Sequence, residues 1–317
     1  MLRLIVRRLA LGLVTILLVS LIIFAGVEAL PGDACTAALQ QDARGEPLRV
    51  CREQLGLNVP AYERYLKWAA GAAQGDLGIA FDGRRIATIV GDRLKNTLLL
   101  AASAIAFGVP LALLLGIVTA LRRDKATDLI LSTAAIMAMT IPEFVSATVL
   151  IFIFSIWLGW LPGIVMASAN APASAFFPEI VLPVLVLTMV MTAHILRSVR
   201  SSMIEVMGSD YVQMATLKGV PYWRLIFRHV LPNALLPAIN VVALTIAWLL
   251  GGVVVIEKVF NYPGLGRLMV DAISERNLPV VQAIALILAT IYVGVNLAAD
   301  LLGLMLNPRL RTHQLRR

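Results

Sequence analysis

The chain has 317 residues, of which 59% are hydrophobic and 15% charged, and its mean hydropathy is +0.85. Such values exclude an ordinary soluble domain and mark an integral membrane protein. The formal charge of +8 and the pI near 9.9 arise from membrane orientation, as the distribution of Lys and Arg shows below. No soluble basic domain exists to carry nucleic acid, so none is expected as a partner.

Apolar runs near the roughly 20 residues that cross a bilayer as a helix lie at about 9–30, 97–121, 129–158, 180–196, 234–256 and 281–306. They predict six spans in an all-α fold, since they lack the short alternation of a membrane β-barrel. The first run follows Arg3, Arg7 and Arg8 but is longer than a signal-peptide core and has no clear cleavage site, so residues 1–30 read as a retained first helix.

Residues 31–96 form a lid-like exported segment. Within it Tyr62, Tyr65, Leu66, Ala69 and Ala70 fall at helical spacing and predict a short amphipathic helix. Both cysteines, Cys35 and Cys51, also lie here. They are expected to form a disulfide worth about 3 kcal/mol on the chain-entropy model; the alternative is two small buried thiols. Two cysteines alone do not predict a metal site.

Residues 97–317 make up the core, with five more spans. With six spans both termini share one side, which also carries Arg122, Arg123, Lys125, Arg197, Arg200, Lys218, Arg224, Arg228, Arg309, Arg311, Arg316 and Arg317. Only Asp124, Asp128, Glu205 and Asp210 oppose them there. The positive-inside rule makes that side cytoplasmic and both termini with it.

On the same side, residues 199–233 interrupt the spans. Apolar positions from Met203 through Val206, Met207, Tyr211 and Met214 recur every three or four residues, predicting one surface helix that ends at Gly219 with a left-handed cap. A second helix begins near Pro221 and carries Arg224 and Arg228 four apart, and Pro232 and Pro237 hand over to the fifth span. Physics alone leaves this elbow either as an interfacial anchor or as a docking surface. On the exported side, "EKVFNYPGLGRLMVDAISERNLPVVQ" mixes Phe260, Pro263, Gly264 and Gly266 with charges and is expected to fold back along the outer mouth as a gate or lid.

The spacing of Ala215, Gly219, Leu231 and Pro232 resembles the EAA motif of ABC-importer permeases. Gln213, Met214 and Ala215 stand at that motif's Glu-Ala-Ala, so its glutamate is absent. "ALPGD", "LGLNVPAYERYLKW", "GDLGIAF", "TIPEF" and "VVVIEKVFNYPGLGRLMVDAI" are similar, in order and spacing, to the dipeptide/oligopeptide/nickel branch of these permeases. The resemblance implies a bacterial or archaeal inner-membrane subunit beside a second homologous permease, two cytoplasmic ATPases and an exported solute-binding protein. It implies ATPase coupling through Asp210, Tyr211, Gln213, Met214, Ala215, Lys218, Gly219, Arg224, Leu231 and Pro232.

The chain has no P-loop and no Gly-Lys pair, so it is expected to bind no cofactor, with ATP and Mg on the partner subunits. Peptides are the expected solute, with a nickel chelate or another small solute as the alternative. Glu143, His194 and Asp300 are ionisable groups in or near spans, and Glu143 is the candidate pathway residue. His194, His229 and His313 are scattered, and neither H-E-x-x-H nor G-x-S-x-G occurs, which argues against a membrane enzyme. An ion-coupled secondary transporter is the competing class, but it leaves the elbow without a task.

Overall fold

The computed structural model describes residues 2–29, 34–39, 44–54, 56–80 and 83–306. Long apolar segments satisfy their backbone groups internally as helices, and these dominate the described residues. Helix α1 (Leu2–Glu28) is followed by three short helices, α2 (Ala34–Leu39), α3 (Gly45–Gln54) and α4 (Ala61–Ala73). Then come α5 (Ile86–Leu121), α6 (Ala126–Thr140), α7 (Glu143–Leu150) and α8 (Val181–Met207). Past α8 lie α9 (Asp210–Leu217), α10 (Tyr222–Leu225), α11 (Leu231–Val259), α12 (Leu265–Ser274) and α13 (Leu278–Leu306).

Four described stretches are long and apolar enough to cross a membrane: Val6–Glu28, Ile86–Leu121, Val181–Met207 and Leu278–Ala298. A bent pair provides a fifth, and α11 is itself 29 residues long. The second span begins at Ile86 rather than 97, so its first turns belong to the segment expected as lid. The predicted single span 129–158 is instead broken at Ile141–Pro142, and its two parts are bent by 108°. Proline denies the residue before it the helical region, and Ile141 is extended at φ −76°, ψ 126°. A π-helical stretch, Ile151–Trp157, then ends this arm.

Helix α8 is the axis of the bundle, packed by α5, α11, α6 and α7. Its contact with α5 is close because α5 offers small residues at four-residue steps: Ala104, Gly108, Ala112, Gly116 and Ala120 are all buried. A Cβ on Gly116 would stand 2.7 Å from the Val199 Cβ, and one on Gly108 would collide with the Met191 side chain. Small-residue stripes let backbones approach where lipid gives no hydrophobic drive for helices to associate. Asp128 of α6 accepts two hydrogen bonds from Arg200 of α8, each 2.7 Å, and bonds Ser132 and the Asp124 amide as well.

The segment expected as lid is clipped within itself and braced against α1. The Cys35–Cys51 disulfide joins α2 to α3 with Cα atoms 5.8 Å apart. Helix α4 leans on the end of α1, where Tyr65 shares a 2.9 Å hydrogen bond with Ser20, Arg64 pairs with Glu28 at 2.5 Å, and the Phe24 and Tyr65 rings meet edge to face. Helix α1 also packs on α13. Lid and elbow therefore sit at opposite ends of the bundle, separated by helices such as α8, whose 27 residues extend about 40 Å.

Candidate functional site

At the elbow end, α8 stops at Gly208 and Ser209 is extended (φ −75°, ψ 149°) before α9 starts. The predicted continuous helix from Met203 to Gly219 is thus two helices. Glycine weakens helix continuation, the Ser209 hydroxyl turns back to donate to the Val206 carbonyl, and Asp210 places an acid in the first turn of the new helix. Helix α9 closes in a Schellman motif, in which the Val220 amide donates to the Ala215 carbonyl (3.2 Å) and the Gly219 amide to the Thr216 carbonyl (2.9 Å). Gly219 sits at φ 74°, in the left-handed region that glycine alone adopts freely.

Pro221 then caps α10, and a π-helical stretch, Ile226–Val230, leads directly into α11. Pro232 lies in the first turn of α11, where it withholds a donor from the carbonyls of the π-helical turn before it. Val212, Leu225, Ile226 and Val230 are buried against the bundle core, and Ala215 and Leu231 are half-buried against it. The opposite face is open: Leu217 is 82% exposed and Trp223 62%, beside exposed Tyr211, Met214, Tyr222 and Phe227. Trp223 stacks on Phe227 with centroids 6.0 Å apart and meets Tyr222 edge to face. Asp210, Gln213, Lys218, Arg224 and Pro232 are exposed around this apolar patch. The structure gathers all the elbow residues singled out from sequence onto one bent segment running from α9 into the first turn of α11. The aromatic residues of α10 had been passed over, although three aromatics within six positions of a surface loop are themselves a signal.

At the lid end, the α11–α12 turn forms a buried knot. Phe260 and Tyr262 are fully buried, and Phe176 packs against the Tyr262 ring at 5.2 Å. Glu257 is 0% exposed; its carboxylate accepts from Thr97 Oγ1 (2.6 Å) and the Arg267 amide (3.1 Å). Thr97 in turn accepts from the Leu265 amide (2.8 Å), and Asn96 donates to the Ala169 and Pro263 carbonyls. The Tyr262 hydroxyl donates to the Asn96 carbonyl, and burial pushes its pKa further above its ordinary value. Gly264 and Gly266 are glycine by necessity, because a Cβ on either would strike the Glu257 carboxylate or the Val254 backbone.

Phe260, Pro263, Gly264 and Gly266 thus meet in one place. Glu257, Thr97 and Asn96, which hold them there, were missed; the available signal was an acid inside the apolar run "VVVIEKVF". Glu143 lies apart from both sites, at the start of α7, with a buried Oε2 that has no hydrogen-bond partner among the described residues. His194 packs against Trp248 at 5.6 Å, and the side chain of Asp300 lies outside the described residues.

Apolar spans and an exposed aromatic elbow at one end are the parts of a polytopic membrane component. Residues 112–312 match the family described as binding-protein-dependent transport system inner membrane component, and residues 1–101 match its N-terminal companion. The chain belongs to this family, the inner-membrane permeases of ABC importers, in its peptide/oligopeptide branch. It is 35% identical over 313 residues to the glutathione transport system permease protein GsiC of Escherichia coli O6:H1, covering 98% of this chain and 99% of the relative. It is 33% identical over 308 residues to the probable peptide ABC transporter permease protein y4tP of Sinorhizobium fredii, covering 97% and 98%. A solved structure of an amino acid ABC transporter with histidines covers 68% of this chain and 93% of its own, with a TM-score of 0.51 and 16% identity, a likeness of fold.

Proposed function

We propose that this chain forms half of the translocation pathway of an ATP-driven importer of short peptides. A second homologous permease completes the pathway, an exported solute-binding protein delivers the solute, and two cytoplasmic ATPases, which hold the ATP and Mg, dock on the elbow. In this reading α11 and the bent α6–α7 pair complete six spans, with the elbow and both termini in the cytoplasm.

The observation that carries the reading is the elbow. Its Schellman turn and buried Val212, Leu225, Ile226 and Val230 fix it to α8 and α11, while Tyr211, Met214, Leu217, Trp223 and Phe227 stay uncovered. A rigid, apolar, solvent-facing segment joined to two spans can transmit a push from a docked partner, as alternating access requires. The peptide assignment is supported by relatives named for glutathione and peptide transport. It is tested by reconstituting the chain with its operon partners in liposomes and measuring ATP hydrolysis and uptake against a peptide library. Stimulation by peptide-loaded binding protein is expected; stimulation by a metal chelate alone would reassign the solute.

A further inference from the structure

Two cavities of about 690 and 390 Å³ adjoin beneath the lid and share Phe24, Leu57, Arg64, Pro279 and Gln282. Both volumes fall in the range of small-molecule sites. Gln282, in the first turns of α13, lines both of them, is only 7% exposed, and its Nε2 has no hydrogen-bond partner among the described residues. A buried donor left unpaired costs the full desolvation of the group, and an amide NH₂ can be satisfied only by an acceptor. The smaller cavity adds Arg52 and Glu28, the latter already paired with the shared Arg64, so two arginines stand there against one acid, and a helix start further favours negative charge. The larger one turns mixed, with Lys67 beside Glu63 and Asp76, and presents the Trp68 ring. From the smaller to the larger cavity, the lining therefore runs from net positive to balanced, with Arg64 and Lys67 against Glu63 and Asp76 in the larger, past the shared apolar Phe24, Leu57 and Pro279.

We propose that this double cavity is a receiving site for a short zwitterionic peptide. Gln282 donates to the terminal carboxylate alongside the Arg52 and Arg64 guanidinium groups, and Glu63 and Asp76 face the ammonium end. The proposal rests on the importer reading above and adds a place, outside the elbow and the knot, where this subunit itself contacts solute.

The test uses the complete transporter in liposomes and a tripeptide supplied both as free acid and as C-terminal amide. Replacing the donor in Gln282→Leu is expected to raise the half-saturating concentration of the free acid about tenfold, the loss of one hydrogen bond to a charged group. The amide, lacking the charged acceptor, should shift far less. An equal shift for both forms, or none for either, overturns the site. In case the variant does not assemble, the wild-type complex is labelled with a tripeptide carrying a photoreactive group near its carboxylate. Crosslinks in residues 52–68 or 278–282 support the proposal, and crosslinks confined elsewhere overturn it. A free-acid shift accompanied only by loss of a co-purifying anionic lipid assigns the cavity to a headgroup and also overturns it. If the wild-type complex takes up no peptide at all, the importer reading fails, an outcome distinct from uptake with labelling elsewhere.

Discussion

Gly219 combines two demands that a single residue rarely has to meet together: a left-handed φ of 74° and a turn that binds two helices into one elbow. A Cβ placed there meets nothing within 4 Å, so Gly219→Ala tests conformation without a steric clash. The strain of about 1–2 kcal/mol should lower the population of the native elbow roughly 5- to 30-fold locally. The complex should still assemble, but the ATP hydrolysed per solute imported should rise, a ratio measured directly in liposomes; an unchanged ratio removes the glycine from the coupling scheme. Glu257 is the corresponding residue at the other end. Glu257→Ala strands the Thr97 hydroxyl and the Arg267 amide and opens space, so the protein should lose about 3 kcal/mol. Glu257→Gln keeps the shape and one acceptor, and should lose less; thermal unfolding in detergent compares the two. Gly219 was legible in the sequence because its turn is local and glycine has few other reasons to follow a helix ending in Lys. Glu257 was not, because its partner Thr97 lies 160 positions away.

At the scale of elements, hydropathy located the apolar segments but not their ends. Burial and lipid exposure both favour apolar residues, so periodicity could not show that α5 starts at Ile86 or that α8 continues to Met207. The break at Pro142 was open to local reading, since proline restricts the residue before it, yet the apolar run across it masked the signal. The small-residue stripe of α5 was likewise visible as composition, but only the packing against α8 gives it meaning. It leads to a paired expectation on one helix. Gly116→Ala, whose Cβ would stand 2.7 Å from the Val199 Cβ and 3.0 Å from the Leu196 carbonyl, should destabilise by about 1–3 kcal/mol. Gly91→Ala meets nothing within 4 Å and should be neutral or stabilising by up to about 1 kcal/mol. Melting temperatures in the same detergent decide the matter, and equal shifts would contradict the close α5–α8 packing.

For the whole molecule, the two ends differ in kind. At the lid end, the Glu257 knot ties α5, α11 and α12 together by buried hydrogen bonds, and the lid is held to α1 by Tyr65 and Arg64. At the elbow end, the Arg200–Asp128 pair braces α8 against α6 while the aromatic face is left open. A closed knot at one end and an uncovered aromatic face at the other suit the proposed subunit driven from the elbow. The central claim is that partner ATPases drive this chain through that face. It is tested most directly by the double variant Leu217→Asp, Trp223→Asp in the reconstituted transporter, with ATP hydrolysis measured with and without loaded binding protein. Both side chains are exposed, so the subunit should purify with unchanged melting temperature, while stimulated hydrolysis and uptake should fall at least about tenfold, as expected for losing interface anchors. Full stimulation in the double variant, or solute accumulation by the wild-type chain on an ion gradient without any ATPase, would contradict the claim.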